Sequence, residues 1–389
     1  MAPPRTNYYI ARLLRTVFGV RYRDIVGKMR SEVLTEWEEV PCNLCGSERR
    51  QKIGSVDKFK LNVTSVICLD CGLIYINPRP TADCYRRFYE SGGDDQGVYH
   101  ADMSVENVEQ ILQSYFGSDY RVSEKDWVKV QAYKQKFMDY GDEDAEGFEV
   151  REQNEQSLRT ADDIYESFKG FVPVGSKMFE VGASWGYQLV PWRDRHECEV
   201  SGVEPQTAAV QRAKERLDID LYQGFADNPD IPNEAFDAVL NLRAINHMLD
   251  PMNELRQQWK ILKPGGMLLL DNQESLLKAR YSGFDGATVE IDHPYMFSVQ
   301  TLSAMVEKAG FNIVMTSIID SRYVIKTKTS NPRFRQIRLA AKKVDGALSV
   351  RQTDAIDELA ALVMNLDHFG ETKKLNNRRV SRQESRPLS

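Results

Sequence analysis

The sequence is most telling first in what it lacks. No run of ~18 apolar residues occurs, so nothing reads as a membrane-spanning helix. The N-terminus lacks the basic, apolar and small-residue layout of a secretory signal, which leads us to expect a cytoplasmic protein. There is no basic excess: the net charge is −6, which argues against a general nucleic-acid binder. Histidine is scarce, with five in 389 residues, so each can be weighed singly. Cysteine is scarce too, but four of the six stand in two tight pairs, a pattern of metal binding in a reducing compartment, not of disulfides.

Cys42, Cys45, Cys68 and Cys71 form two CxxC turns separated by 22 residues. Two thiolates three positions apart on a turn can face one metal, and two such turns complete a tetrahedral site. Gly46 and Gly72 follow the pairs, where a positive φ is often needed. Four protein ligands leave no open position, so the expected zinc is structural and activates no water. A redox role for either pair is the weaker alternative. Cys84 and Cys198 lack any pairing pattern and are expected as buried thiols.

Charge is uneven along the chain. Residues 1–30 carry seven Lys or Arg against the single acid Asp24. Within them Ile10, Leu13, Leu14 and Val17 share one helix face, which suits either packing on the protein itself or a peripheral membrane contact. From residue 171 short apolar runs alternate with helix-period segments: "KMFEVGA", "CEVSGVEP", "TAAVQRAKERL", "DLYQGF", "AFDAVLNLRA", "GMLLLDN". That rhythm predicts a doubly wound, mostly parallel α/β sheet. "RFRQIRLAAKKVDGAL" and "TDAIDELAALVMNLDHF" read as two further helices, and the last residues as a disordered basic tail.

"KMFEVGASWGYQLV" joins an apolar strand to a helix through Gly182 and Gly186, and Glu204 ends the next strand 22 residues beyond Gly182. A glycine turn admits close approach to a ligand, and an acid about 20 residues on can hold ribose hydroxyls. The spacing is not that of a dinucleotide fingerprint, and Glu180 before the turn would repel a pyrophosphate but attract an ammonium. A nicotinamide oxidoreductase is therefore disfavoured. A cationic ligand with a ribose points to S-adenosylmethionine.

"FEVGASWG", "GVEP", "FDAVLNLRAINHMLDP" and "LKPGGMLLLDN" resemble the successive motifs of class I S-adenosylmethionine-dependent methyltransferases over about residues 165–320. "CNLCG…CLDCGLIYINPRPTADCYRRFYESG" is similar to the N-terminal zinc unit of a subgroup that includes sugar C-methyltransferases and polysaccharide-pathway enzymes. The resemblance implies a Rossmann-like sheet with a small N-terminal zinc ribbon and added helices. It implies that Glu180, Gly182 and Gly186 line the methionine end of the cofactor, Glu204 the ribose, Phe225 and Ala226 the adenine, and that Asn241 faces the methionine part. Two departures stand out: Ser184 replaces the usual middle glycine, with bulky Trp185 after it, and where the sugar C-methyltransferases carry a further C-terminal domain only helices and a tail are expected here.

The domain reading is a basic helix in 1–38, the zinc unit in 39–82, a helical linker or cap in 83–170, the methyltransferase domain in 171–330, C-terminal helices in 331–370 and the tail in 371–389. Deprotonating an acceptor needs a base, and histidine suits neutral pH. His247, past the fourth strand, and His293, beside Asp292, are the candidates, with Glu290 and Tyr295 in support. His247 can equally pin its loop. His100, His196 and His368 are expected at the surface. The expected reaction is methyl transfer to a small-molecule, sugar or glycan acceptor. The alternatives are RNA or protein methylation through the zinc unit, and a scaffold that only binds the cofactor. The oligomeric state is left open.

Overall fold

A computed structural model describes residues 13–55, 61–90, 105–138, 157–274, 290–320 and 335–344. The strands, in chain order, are β1 (Trp37–Glu38), β2 (Arg50–Gly54), β3 (Ser65–Cys68), β4 (Ile74–Ile76), β5 (Arg79–Pro80), β6 (Lys177–Val181), β7 (Glu199–Glu204), β8 (Leu221–Gln223), β9 (Phe236–Leu242), β10 (Leu262–Gln273), β11 (Tyr295–Met296), β12 (Phe311–Asp320) and β13 (Arg335–Lys343).

Seven strands form the main sheet in the order β12-β13-β10-β9-β6-β7-β8. β6 to β10 run parallel, and β13 is antiparallel to both neighbours. Phe179, Val239, Leu240, Leu268, Leu269 and Leu270 are all buried, so the apolar runs of the central strands reflect a sheet covered on both faces. The order reverses between β6 and β9, and such a switch point opens a crevice at the carboxyl ends of the strands.

Residues 335–343 correct the sequence reading, which made them helical. Arg, Leu, Ala and Lys favour a helix in isolation, but Ile337, Leu339, Ala340 and Ala341 are fully buried as β13, wedged between β10 and β12. Pairing on both edges overrides a propensity of a few tenths of a kcal/mol per residue, about the size of the whole ordinary scale. The methyltransferase-like sheet thus runs beyond residue 330. "TDAIDELAALVMNLDHF" and the tail lie outside the described residues.

The domain also begins earlier than residue 171. The helix 157–168 lays Ile164, Tyr165 and Phe168 on the sheet against Met178, Trp192, Leu240 and Leu269. Arg338 of β13 clamps it by pairing with Asp163, and donates to Asp271 Oδ2 at 3.1 Å.

A second, four-stranded sheet has the order β11-β4-β3-β2. Three strands come from the cysteine segment; β11 comes from the chain after residue 290 and pairs Tyr295 with Tyr75. The N-terminal helical layer is a third packing unit. Leu13 and Leu14 bury themselves against Val108, Ile111, Leu112 and Val130 of the helices Val105–Phe116 and Glu124–Met138. The apolar face of the basic N-terminal segment is therefore covered by the protein's own helices; Ile10 lies outside the described residues. No helix among the described residues is long and apolar enough to cross a membrane.

Candidate functional site

The first half of the site is built where β6 and β7 end. Gly182 and Gly186 have φ of 71° and 77°, and a Cβ on Gly182 would lie 3.0 Å from the Ala244 Cβ. Ser184, in place of a glycine, also takes a positive φ of 50°, a conformation costing an L-residue roughly 1–2 kcal/mol. The turn is held by Glu204, whose two carboxylate oxygens accept from Ser184 N at 2.9 Å and Gln206 N at 3.0 Å.

Glu180 is buried and its Oε2 has no hydrogen-bond partner among the described residues. Burial pushes its carboxyl well above the usual range, the nearby Glu204 adds to this, and Arg243 opposes it. Burial raises Glu204 as well, against its two backbone donors. An orphaned buried carboxylate beside a second one is a cradle for a ligand cation, because a buried polar atom without a partner costs about 1–3 kcal/mol. The residues fit the amino group and ribose of S-adenosylmethionine.

Next to this cradle a cavity of ≈ 450 Å³ is lined by Arg86, Pro205, Thr207, Gln223, Gly224 and Phe225. Phe225, expected against the adenine, lines this cavity. Ala226, its expected companion, is packed into the main core instead. Asn241 is also turned to a structural task. Its Oδ1 accepts from Ile245 N at 3.0 Å and its Nδ2 donates to Gln258 at 3.3 Å, so it pins the loop after β9.

The second half joins four separate stretches of chain. His247 ends the 3-10 turn Ile245–His247, and His293 follows Glu290 and Asp292 in the segment before β11. Their rings lie 4.1 Å apart, centroid to centroid. His293 Nδ1 is 3.4 Å from Asp292 Oδ1 and 3.6 Å from Glu290 Oε2. Burial disfavours charge on His293, but the two carboxylates outweigh it and hold its pKa up to about 9. Burial, reinforced by the His293 charge, pushes His247 down to about 3.

Sequence reasoning missed the residues that the helix Ala82–Glu90 brings here. Tyr89 Oη is 3.1 Å from His247 Nδ1 and donates to the Asp292 carbonyl at 3.3 Å. Tyr85 Oη reaches the His247 and Ile291 carbonyls at 3.0 and 3.1 Å. The signal was present as two tyrosines one helical turn apart in "CYRRFYE". No local signal marks Arg30, whose Nη2 lies 3.3 Å from Asp292 Oδ2 with both side chains buried. His196, expected at the surface, is buried: it bonds Tyr165 Oη at 3.2 Å and the Val172 carbonyl at 2.8 Å. His100 and His368 lie outside the described residues.

Cys42, Cys45, Cys68 and Cys71 converge, with Cys42–Cys71 and Cys45–Cys68 sulfur distances of 3.5 Å and all four sulfurs within 4.8 Å of one another. Four thiolates around one zinc at ~2.3 Å stand about 3.8 Å apart, so the set fits the ion. Cys84 and Cys198 are buried as expected. The cysteine unit sits on the main domain: Asn43 bonds Asp250 at 2.8 Å and Met252 N at 2.9 Å.

Comparison with known proteins agrees with this geometry. Residues 151–316 match the model of a family described as a methyltransferase domain. An 82-residue stretch is 34% identical to a ubiquinone biosynthesis O-methyltransferase of Parvibaculum lavamentivorans, covering 21% of this chain and 32% of that protein. The O-methyltransferase cnsE of Penicillium expansum is 25% identical over 36% of this chain and 53% of its own length. A 27-O-demethylrifamycin SV methyltransferase of Amycolatopsis mediterranei is 28% identical over 26% of this chain and 40% of its own. The chain thus spans between about a third and half of these relatives' lengths. Among solved structures, a SAM-dependent methyltransferase from Thermotoga maritima, titled a possible histamine N-methyltransferase, aligns over 50% of this chain and 94% of its own at 21% identity and a TM-score of 0.39. Residues 151–316 are thus similar to a methyltransferase domain.

Proposed function

We propose that this methyltransferase domain serves an enzyme that transfers a methyl group from S-adenosylmethionine to a hydroxyl of a small molecule. The observation that carries the reading is the His247–His293 pair, ring to ring at 4.1 Å, in a chain whose buried Glu180 Oε2 has no partner among the described residues. When bound, the cofactor supplies a methyl group on a sulfonium. Glu180 would hold its ammonium and Glu204 its ribose.

The chain's own residues handle the acceptor proton. We assign the Tyr89 hydroxyl hydrogen to the Asp292 carbonyl, which leaves its oxygen to accept from His247 Nδ1–H in the tautomer whose Nε2 is bare, the form that takes a proton from a hydroxyl. His293, kept cationic by Asp292 and Glu290, places positive charge where the acceptor oxygen turns negative. In this reading the neutral His247 is the base and the cationic His293 the charge-stabilising group.

The finer reading is a sugar, nucleotide-sugar or glycan acceptor. It is supported by the joining of a cysteine unit to this domain, and by the carboxylates of Glu290 and Asp292 beside the pair, which suit a polyhydroxylated ligand. The four cysteines are proposed to hold a structural zinc. The test is incubation of the purified protein with methyl-labelled S-adenosylmethionine and a panel of hydroxylated acceptors, read by mass spectrometry. Label on an oxygen in the wild type, lost in His247→Gln, is the expected result. If calorimetry shows that the wild type binds neither S-adenosylmethionine nor S-adenosylhomocysteine, the reading is wrong.

A further inference from the structure

The helix Ala82–Glu90 stands over both halves of the cleft. Tyr85 and Tyr89 face the histidine pair. Arg86, beside Tyr85, goes to the other half: it lines the ≈ 450 Å³ cavity, and its guanidinium carbon lies 4.5 Å from the Phe225 ring centroid. The remaining lining residues fix where that cavity is. Pro205 directly follows Glu204, and Gly224 and Phe225 directly follow β8. The cavity is thus at the carboxyl ends of β7 and β8, one residue beyond the carboxylate assigned to ribose.

A guanidinium is flat, weakly hydrated and stacks on π-faces, unlike an ammonium. Arg86 is oriented from its far side by Asp227, with Nη2 to Oδ2 at 3.6 Å. Both side chains of that pair are about half exposed, so the pair adds little to folding. Its consequence is local: a carboxylate faces the guanidinium that lines the cavity.

We propose that Arg86 belongs to the cofactor site, closing its adenosine end from the N-terminal unit and thereby tying cofactor occupancy to the placement of Tyr89. This rests on the cofactor reading above. The N-terminal unit is then part of the catalytic cleft: one helix touches the adenosine pocket through Arg86 and the acceptor base through Tyr89.

The test is calorimetry on the full chain with two probes, S-adenosylhomocysteine and 5′-methylthioadenosine, which lacks the amino-acid part. Arg86→Ala is expected to weaken both by the same factor, roughly 5- to 20-fold, the range of a partly desolvated cation–π contact. Arg86→Lys is expected to recover only part of the loss. Glu180→Gln is the contrast, weakening S-adenosylhomocysteine while leaving methylthioadenosine unchanged. Hydrogen exchange supplies the second readout: S-adenosylhomocysteine at saturation slows exchange across residues 82–90 in the wild type but not in Arg86→Ala. Binding of both probes to Arg86→Ala within about twofold of wild type, or identical exchange slowing in the two proteins, overturns the proposal. Failure of the wild type itself to bind either probe overturns the cofactor reading first, a result the variant cannot mimic.

Discussion

Arg30 and Asp292 form a buried ion pair, Nη2 to Oδ2 at 3.3 Å, that ties the N-terminal helix to the segment carrying His293. Asp292 in turn faces His293 Nδ1 through its other oxygen at 3.4 Å. The first helical layer and the acceptor end of the cleft are therefore one electrostatic unit. Arg30→Met removes one of the two cations that face buried Asp292, leaving His293 as the other, and is expected to cost up to about 3 kcal/mol by urea unfolding, the lower end for a broken buried pair. The double variant Arg30→Met, Asp292→Asn should recover part of that loss, because the carboxylate that Arg30 neutralised is gone. Equal instability of the single and double variants would contradict the pair's role.

The His293 charge predicts a pH dependence of stability. Its folded pKa is raised to about 9 from an ordinary ~6.5, so its contribution is full below pH ~6.5 and is lost as pH rises through about 9. Wild-type urea midpoints should fall across that window, and the fall should be shallower in His293→Gln. Parallel curves for the two proteins would mean that His293 carries no extra proton.

Glu180 should separate stability from binding. Its buried, unpartnered carboxyl is a burden on the free protein. Glu180→Gln is expected to leave the free protein as stable or up to about 1 kcal/mol more stable, while lowering S-adenosylmethionine affinity at least about tenfold, the size of a lost charge-assisted contact. A variant that binds as tightly as wild type in calorimetry would remove Glu180 from the cofactor site.

Removing the proposed zinc should be felt at the segment that carries His293. β3 ends at Cys68, β4 pairs with β3, and β11 pairs with β4; Ile76 N also donates to the Pro294 carbonyl at 3.0 Å. Pro294 directly follows His293. A chelator, or Cys68→Ser, is expected to release one zinc per chain and to raise hydrogen exchange at residues 293–297 by at least about tenfold, or ~1.4 kcal/mol of lost protection. Unchanged exchange there after zinc loss would show that the main domain alone holds the segment.

Tyr89→Phe tests the tautomer argument. In the proposed tautomer, loss of the hydroxyl takes the acceptor from His247 Nδ1–H, and the bare Nε2 is no longer enforced. Methyl transfer should fall by about 10²-fold, at the lower end of what a positioned base contributes, while affinity for S-adenosylhomocysteine stays near wild type. A loss of cofactor affinity equal to the loss of rate would assign Tyr89 to binding instead.

What could be read from the sequence is what local chemistry encodes. The glycine turn at 182–186, Glu204 after the next strand and the two CxxC turns each need a residue type at a short fixed spacing, and each occupies its expected place. The apolar runs of β6, β7, β9 and β10 show a sheet buried on both faces for the same reason. The tertiary structure decided the rest. It made residues 335–343 a strand by giving both edges a partner, whatever their helical propensity. It gave Asn241 a hydrogen bond to the loop after β9, packed Ala226 into the core and buried His196. It also assembled the histidine cluster from Arg30, Tyr89, His247 and His293, residues with no common local pattern. Spacing along a chain reports the partners within a turn or a strand; contacts between distant segments follow from how whole layers stack, and no short stretch carries them.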